Sequence, residues 1–184
     1  MERTELHTQR LLLRPWRLGD VEDAFAYASD VEWARYLWLV PQPYTHRDAE
    51  EFVARAVLDG WIDQAQFAIE FEGHAIGGVR LNIVDVPGRT AGLGYNVARA
   101  HWGRGFATEA TTAVTKFGFS SLNLHRIFAT ADARNLASIR VMQKLGMLEE
   151  GVLRQHRYFR GQHVDEVHYA ILADEYSKIT PRKR

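Results

Sequence analysis

The hydrophobic positions of this chain follow a helical period in two early stretches and a strand period afterwards. The apolar run Leu11–Leu13, set between two arginines, predicts a buried first strand. Apolar residues then recur at three- and four-residue spacing after Asp20 and after Thr45, which predicts two helices. Thr45 and Asp48 have the spacing of a capping box at the start of the second helix, and Gly60 is placed at its end.

The stretch between these two helices, from Trp33 to Tyr44, follows neither period. It is rich in aromatic residues, and prolines at positions 41 and 43 exclude a regular helix. A loop of this composition can line a pocket or cover a hydrophobic core, and the sequence leaves both interpretations open.

From Gln66 onward, alternating apolar and polar residues predict strands. Two strands joined at Glu72–Gly73 form a hairpin, and a third strand, Ala91–Val97, leads into a helix that runs to about Ser121. A strand over 126–131, a helix capped by Asn135 and a final pair of strands over 147–157 and 162–172 complete the chain. This order predicts an α+β fold, with antiparallel strands first and a strand–helix–strand–helix–strand unit after them.

The composition is that of an ordinary globular protein, with 46% hydrophobic and 25% charged residues in a chain of 184. We therefore expect one domain over residues 1–184. The formal net charge is zero and the basic tail 181–184 is short, so we expect no binding to nucleic acid or to a membrane surface. The absence of cysteine excludes disulfides and protein thiol chemistry. Since neither a signal peptide nor a run of about 18 apolar residues is present, we expect a cytoplasmic protein.

The segment His101–Glu109 carries the strongest chemical signal in the chain. Gly103, Gly105 and Ala107 alternate between a predicted strand and a predicted helix, so the backbone can turn tightly there. The amides of this turn can converge on an anion at the helix N-terminus, where the helix dipole adds roughly half a positive charge. Arg104 supplies a cation beside them. A glycine-containing turn without a ligand is the alternative, because short Gly-x-Gly motifs are weak signals.

Three pairs of segments follow one another in an ordered spacing, and with the opening segment Arg10–Arg14 they span nearly the whole chain. They are Gly94–Val97 with Trp102–Ala110, Leu124–Ile127 with Asn135–Met147, and Glu150–Arg154 with Asp165 and Tyr169. Together they resemble the GNAT superfamily of acetyl-CoA-dependent N-acetyltransferases. Within it they are similar to the RimJ/RimL-like branch, which acetylates protein N-termini and includes many small-amine enzymes.

The resemblance implies a fold and an activity. The fold would be a mixed, mostly antiparallel central sheet of about six or seven strands, with helices on both faces and a splayed strand at the cofactor site. The activity would be transfer of an acetyl group from acetyl-CoA, as cosubstrate, to a primary amine by direct attack in a ternary complex. The amine would belong to a protein N-terminus or to a small molecule. The sequence does not distinguish a monomer from a homodimer.

The resemblance also implies which residues bind the cofactor. The amides of Gly103–Ala107 would hold the pyrophosphate, and the splayed strand ending at Val97 would hydrogen-bond the pantetheine arm and the thioester carbonyl. Asn135 would contact the pantetheine, and Ser138 would lie near the sulfur. Lys144 would either contact a CoA phosphate or lie on the solvated face of its helix. The full predicted set is Tyr95, Asn96, Val97, Trp102, Gly103, Arg104, Gly105, Phe106, Ala107, Thr108, Asn135, Ser138 and Lys144.

The chain departs from the family pattern where an acid and a base are expected. Met142 stands in place of a tyrosine used elsewhere as general acid, Gly92 in place of a glutamate, and Arg157 in place of a carboxylate of some relatives. Ser138, one helical turn beyond Asn135, is therefore the candidate that protonates the leaving thiolate, and a hydrogen bond within that turn is its alternative role. The candidate bases, each with a structural role as the alternative, are Glu32, Glu70, Asp165 and His168.

The acceptor-binding residues are placed in the aromatic stretch, at Trp33, Tyr36 and Trp38, because such folds usually shape the acceptor side there. The histidines lack the spacing of a zinc site, so we predict no metal. Two other classes stay open. A dinucleotide-binding module is disfavoured by Thr108, which occupies the place of the third glycine. A non-catalytic acyl-CoA-binding sensor or interaction domain is compatible with the missing acid and base.

Overall fold

The computed structural model describes residues 3–59, 61 and 63–179. Gly60 and the basic tail 181–184, both of which entered the sequence predictions, lie outside the described residues. The strands are β1 (Leu6–His7), β2 (Leu12–Arg14), β3 (Gln64–Phe71), β4 (His74–Asp85), β5 (Thr90–Val97), β6 (Arg126–Asp132), β7 (Leu148–Phe159) and β8 (Gln162–Leu172). The helices are α1 (Val21–Ala28), α2 (His46–Leu58), α3 (Phe106–Ser120), α4 (Leu136–Lys144) and α5 (Ala173–Ile179).

The sheet confirms the predicted α+β fold. In the described part of the chain it has eight strands in the order β1-β2-β3-β4-β5-β6-β8-β7, with helices on both sides. β5 and β6 pair in parallel, and β2–β3, β3–β4, β6–β8 and β7–β8 pair antiparallel. The strand beyond the predicted six or seven is β1, whose two residues are too short for an alternating pattern. The chain also adds α5 after the strand that was expected to close it.

The chain divides into two compact units, each described by itself below. The first contains the residues up to Asn82 together with Gly94–Val114, and the second contains Ile83–Leu93 together with the residues from Thr115 onward.

In the first unit, α1 and α2 bury a cluster that includes Trp16, Trp33 and Val53. The predicted capping box opens α2: Thr45 Oγ1 accepts from the amide of Asp48, at 3.3 Å, and the Asp48 carboxylate accepts from the amide of Thr45, at 2.7 Å. The two reciprocal bonds satisfy amides that a helix start otherwise leaves without partners.

A buried network of ion pairs connects β2 with the start of α1 and with β3. The guanidinium of Arg14, 2% exposed, donates to both carboxylate oxygens of Asp20 at 2.8 Å and also to Glu70. Glu70 therefore compensates a buried cation, which is the structural alternative to its predicted role as a base.

The parallel ladder between β5 and β6 is short. It joins three residue pairs and ends at Gly92 opposite Phe128, although β5 continues to Val97 and β6 to Asp132. The ladder ends within the strand that the resemblance predicts to be splayed, and the splay itself stays a prediction.

Candidate functional site

The anion-binding turn predicted from the glycines lies in the first unit and has the required conformation. Gly103 and Gly105 both have positive φ, at 75° and 80°, and α3 begins at the next residue, Phe106. A side chain at either glycine would be strained, because L-residues rarely adopt this region. The first bond of the helix runs from the amide of Glu109 to the carbonyl of Gly105, at 3.0 Å.

The backbone amides of this turn are available to a ligand. Within the part of the chain that the structure describes, none of the amides from Gly103 to Thr108 donates a hydrogen bond to a protein acceptor. They lie at the positive end of the α3 dipole, so the arrangement is suited to a bound anion such as a pyrophosphate.

Arg104 is held in place by packing, whereas the sequence analysis treated it only as a cation beside the turn. Its guanidinium carbon lies 4.9 Å from the centre of the Phe71 ring and 4.7 Å from that of Phe106. Its Nη1 lies 3.1 Å from Nδ1 of His101, and Arg104 must be the donor because a guanidinium has no acceptor. Burial and the Arg104 charge lower the pKa of His101, so this ring is neutral at pH 7.

A second arginine, Arg10, to which the sequence assigned no role at this turn, anchors it. Arg10 Nη1 donates to the carbonyl of Arg104 at 2.9 Å, and its guanidinium lies 4.5 Å from the Phe106 ring centre. Glu109, in the first turn of α3, accepts from the Thr8 hydroxyl at 2.6 Å, and from the amide and Nε of Arg10 at 2.8 and 2.7 Å. Burial opposes ionisation of Glu109, but these bonds outweigh it and lower its pKa. Ionised Glu109 also complements the helix dipole.

The end of β5 is joined to the turn by Trp102. Its indole Nε1 donates to the carbonyl of Val97 at 2.7 Å, while about half of the residue stays exposed. The Asn96 side chain accepts from the amide of Gly78 at 3.2 Å. Gly77 must remain glycine there, because a Cβ would lie 2.2 Å from the carbonyl oxygen of Asn96. Tyr95 precedes these residues on the same strand and is partly buried.

The first unit also contains an open cavity of about 520 Å³ next to this segment. It is lined by Asp23, Tyr27 and Asp30 on one side and by Arg99 and His101 on the other, among other residues. Asp30 and Arg99 form an ion pair across 2.5 Å. The Arg104–His101 bond thus joins the anion-binding turn to the wall of the cavity.

The three predicted acceptor residues lie in different environments. Trp33 is 7% exposed and packs on Tyr27, with ring centres 5.0 Å apart, so its side chain belongs to the core of the first unit. Tyr36 and Trp38 are only partly buried. Residues Trp33–Tyr36 form a short 3-10 helix in the stretch expected to be irregular. No contact of these residues tests the predicted role in acceptor binding.

In the second unit, Asn135 caps α4 as predicted. Its side-chain oxygen accepts from the amide of Ser138 at 3.1 Å, which places Ser138 one turn into the helix. Met142, at the position of the missing tyrosine, is fully buried. Lys144 is exposed at the end of α4. Contacts of Asn135, Ser138 and Lys144 with a cofactor stay predictions.

Of the other candidate bases, Glu32 and Asp165 have structural partners. Glu32 pairs with Arg35 at 3.1 Å on the surface. Asp165 accepts from the amide of Gln155 at 2.7 Å, within a bulge of β7.

His168 lies in a charged cluster that the sequence analysis did not identify. The cluster surrounds Glu166, which is fully buried on β8. Arg157 donates to both oxygens of Glu166, at 3.0 and 3.1 Å, and Nε2 of His156 and of His168 lie 3.4 and 3.9 Å from one of them. A fully buried carboxylate requires such compensation. Glu166 gives no signal in the sequence, since it is one of several polar residues in the first half of a predicted strand.

Two structural findings concern metals and membranes. The described residues hold no group of three or more His, Asp or Glu side chains arranged to bind a metal ion. The helices of the described chain are too short or too polar to cross a bilayer.

Comparison with known proteins identifies the family. The model of the acetyltransferase (GNAT) domain matches residues 10–148. The chain is 32% identical to the "Uncharacterized N-acetyltransferase p20" of Bacillus licheniformis, over 94% of this chain and 98% of that protein. A GNAT-family acetyltransferase from Bacillus anthracis superimposes with a TM-score of 0.83 and 28% identity, over 93% and 99% of the two chains. Spermidine N-acetyltransferase from Vibrio cholerae, solved in complex with CoA and spermine, does so with a TM-score of 0.78 and 25% identity, over 91% and 98%. This chain belongs to the GNAT family of acetyltransferases.

Proposed function

We propose that this chain is an acetyl-CoA-dependent N-acetyltransferase that transfers the acetyl group to a primary amine in a ternary complex, as one domain over residues 1–184. The observation that carries the proposal is the start of α3. Two positive-φ glycines precede a helix whose first amides, among the described residues, have no protein acceptor. The Arg10 and Arg104 guanidinium groups lie at the same turn. The site fits the pyrophosphate of CoA in both geometry and charge.

The comparisons support the activity and leave the amine open. The similar enzyme from Vibrio cholerae is a spermidine acetyltransferase solved with CoA, which makes a polyamine one acceptor to test. We assign the chain to the RimJ/RimL-like branch on its motifs, which makes a protein N-terminal α-amine the other.

The chain's own residues contribute mainly by positioning the reactants. Acetyl-CoA, when bound, supplies a thioester carbonyl to the amine. The amides of Gly103–Ala107 would hold its pyrophosphate, and the Tyr95–Val97 backbone, with Asn135, would orient its pantetheine arm. Such alignment can lower the barrier by roughly 7–11 kcal/mol, more than the roughly 10²–10⁴-fold gain from a positioned acid or base. Ser138 would donate a proton to the leaving thiolate.

Acceptor specificity is assigned to the stretch around Tyr36 and Trp38, whose side chains are partly exposed beside the buried Trp33. Trp38→Ala should raise the KM of the amine by far more than that of acetyl-CoA. Equal changes in both constants would point to packing instead. Trp33→Ala is the comparison variant, since loss of a buried indole should lower stability first, by about 3–5 kcal/mol.

The proposal is tested by measuring CoA release with a panel of amines, in an assay to which this chain contributes no thiol background. Because it contains no cysteine, a thiol reagent reads only the CoA that is set free. The panel pairs peptides that have free N-termini with the same peptides blocked, and adds spermidine, amino acids and aminoglycosides. Turnover with any free amine supports the enzyme. Acetyl-CoA binding in calorimetry without turnover would identify the alternative, a non-catalytic acyl-CoA sensor, and no binding would overturn both.

A further inference from the structure

We propose that the cavity of the first unit is a binding site for a small organic cation that has one ammonium group and an apolar body. All of its lining residues belong to that unit. They come from α1 and the residues just after it, from the start of β4, and from the short 3-10 helix Arg99–His101. The volume of about 520 Å³ is in the range of small-molecule sites. This site does not depend on the acetyl transfer proposed above, because the cation binds without acetyl-CoA.

Asp23 supplies a carboxylate that the protein holds in position. Its Oδ2 accepts from the amide of Ala75 at 2.8 Å, and its Oδ1 lies 3.1 Å from Nδ1 of His74. These contacts fix α1 against the start of β4 and orient both oxygens. Because each carboxylate oxygen has two lone pairs, Asp23 can accept further hydrogen bonds from a ligand.

The charge of Asp23 has no permanent counter-ion among the described residues. The other carboxylate of the lining, Asp30, is paired with Arg99. His101 is neutral at pH 7, because burial and the Arg104 charge lower its pKa. The His74 side chain is 73% exposed, so solvent screens any charge that it carries. The cavity therefore presents one carboxylate whose charge a bound cation can neutralise.

Tyr27 adds a hydroxyl group to the same wall. It follows Asp23 by one turn of α1, so the two side chains lie on the same face of the helix, and both line the cavity. The residue is only 9% exposed, and its hydroxyl makes no hydrogen bond to a described residue. Burial is the main cause that raises the pKa of Tyr27, and Asp23 is among the groups that add to it, so the phenol stays neutral. A buried hydroxyl without a partner is costly, and a ligand that hydrogen-bonds to it removes that cost.

An ammonium group matches both of these side chains. It carries the charge opposite to that of Asp23, and its three N–H groups can donate to the carboxylate and to the Tyr27 oxygen together. The remaining wall is mainly apolar, with small side chains that leave room for a hydrocarbon body: Ala26, Ala75, Ile76, Ala98 and Ala100. A second ammonium group would meet Asp30, which Arg99 already neutralises. The ligand class is therefore a protonated primary monoamine rather than a diamine.

The experiment is calorimetry of the full-length protein without acetyl-CoA. Hexylamine is the probe, hexanol is its uncharged analogue, and hexamethylenediamine adds a second charge to the same chain. Hexylamine should bind at least about 10-fold more tightly than hexanol, because its hydrogen bonds to Asp23 are charge-assisted. The diamine should bind no more than about 3-fold more tightly than hexylamine, because its second ammonium finds no free carboxylate in the lining and gains only screened contacts.

Three variants assign the binding to named side chains. Asp23→Asn keeps an acceptor for the Ala75 amide and removes the charge, so it should weaken hexylamine binding by at least about 10-fold and leave hexanol binding unchanged. Tyr27→Phe removes only the hydroxyl and should weaken hexylamine binding by about 3–10-fold. Glu22→Gln is the matched control. It removes a carboxylate from the neighbouring position of α1, but that side chain is 79% exposed and does not line the cavity, so hexylamine affinity should not change.

Several results would overturn this site. They are no binding of hexylamine, equal binding of hexylamine and hexanol, a diamine that binds far more tightly, an unchanged affinity in Asp23→Asn, or an equal loss in Glu22→Gln. Thermal melts show which variants are folded. If Asp23→Asn does not fold, Tyr27→Phe decides, and an unchanged affinity in that variant overturns the site. None of these measurements involves CoA release, so this proposal and the proposed function fail separately.

Discussion

The two helices that were expected to meet the cofactor begin in opposite ways. α3 starts after two positive-φ glycines, and its first amides have no acceptor within the described residues. α4 starts after Asn135, whose side-chain oxygen accepts a hydrogen bond from the amide of Ser138. Both helices face the same requirement, since every helix begins with amides that lack intrahelical partners. Within the described residues α4 meets it with a side chain of its own, and α3 does not.

The difference separates a proposed binding site, at α3, from a helix start that its own side chain caps, at α4. In a capped helix the N-cap side chain accepts a hydrogen bond from an amide of the first turn, and that amide can no longer bind a ligand. An uncapped helix that follows glycines leaves several amides to converge on one anion. The α3 start is therefore expected to contribute through its backbone, whereas the α4 start is expected to contribute through the Ser138 side chain. The four predictions below test this contrast from the largest expected effect to the smallest.

Gly105→Asp should have the largest effect. It places a carboxylate where we propose that the pyrophosphate binds, and should weaken acetyl-CoA binding by at least about 100-fold in calorimetry through charge repulsion. Gly105→Ala is the control, because alanine at the same φ of 80° carries the same backbone strain without the charge. If both variants bind acetyl-CoA equally, with or without loss of affinity, charge at this turn does not govern binding.

Ser138→Ala should affect the reaction rate and not the binding of cofactor. A missing proton donor to the thiolate should lower kcat by about 10–100-fold, at or below the lower end for general acid catalysis. Steady-state rates over a range of pH, with calorimetry for acetyl-CoA affinity, check this. A wild-type rate at every pH would mean that solvent protonates the sulfur, and Ser138 would then have only a structural role.

Glu109→Gln should loosen the start of α3. The variant loses the carboxylate charge that accepts hydrogen bonds from Thr8 and Arg10. The free energy of unfolding should therefore fall by about 1–2 kcal/mol at neutral pH, allowing for solvent screening of the part-exposed Arg10. Because the pKa of Glu109 is lowered on folding, the wild-type protein has this stability above the unfolded pKa and loses it as pH falls through the folded value. Urea unfolding of the wild-type protein and of Glu109→Gln, at pH 7 and in acid, checks this. The difference between their free energies of unfolding should be smaller in acid. A constant difference would contradict the ionic origin.

Asn135→Ala should have the smallest effect, about 1 kcal/mol of stability from the lost cap of α4. Asn135→Ser, which keeps a capping oxygen, is the control and should retain most of the stability that the cap contributes. Urea unfolding gives the stability, and acetyl-CoA calorimetry adds the comparison with α3. Both variants could bind acetyl-CoA more weakly than the wild-type protein, to the same extent, while Asn135→Ser keeps the wild-type stability. That result would mean that Asn135 contacts the pantetheine as well as capping the helix.

The sequence by itself determined the features that depend on neighbouring residues. Helices α1 to α4, the hairpins, the caps at Thr45 and Asn135 and the glycine turn were predicted, because periodicity, capping bonds and positive φ act over a few residues. β1 and α5 were missed, since two residues or two turns give little periodic signal.

Only the tertiary structure decided which distant side chains meet. Arg10 and Glu109 are 99 residues apart in sequence and still brace one turn, and Glu166 is buried among groups from both strands of the last hairpin. An ion pair has no period and no required spacing. Its partners are chosen by strand register and by the need to compensate a buried charge, and both exist only once the chain has folded.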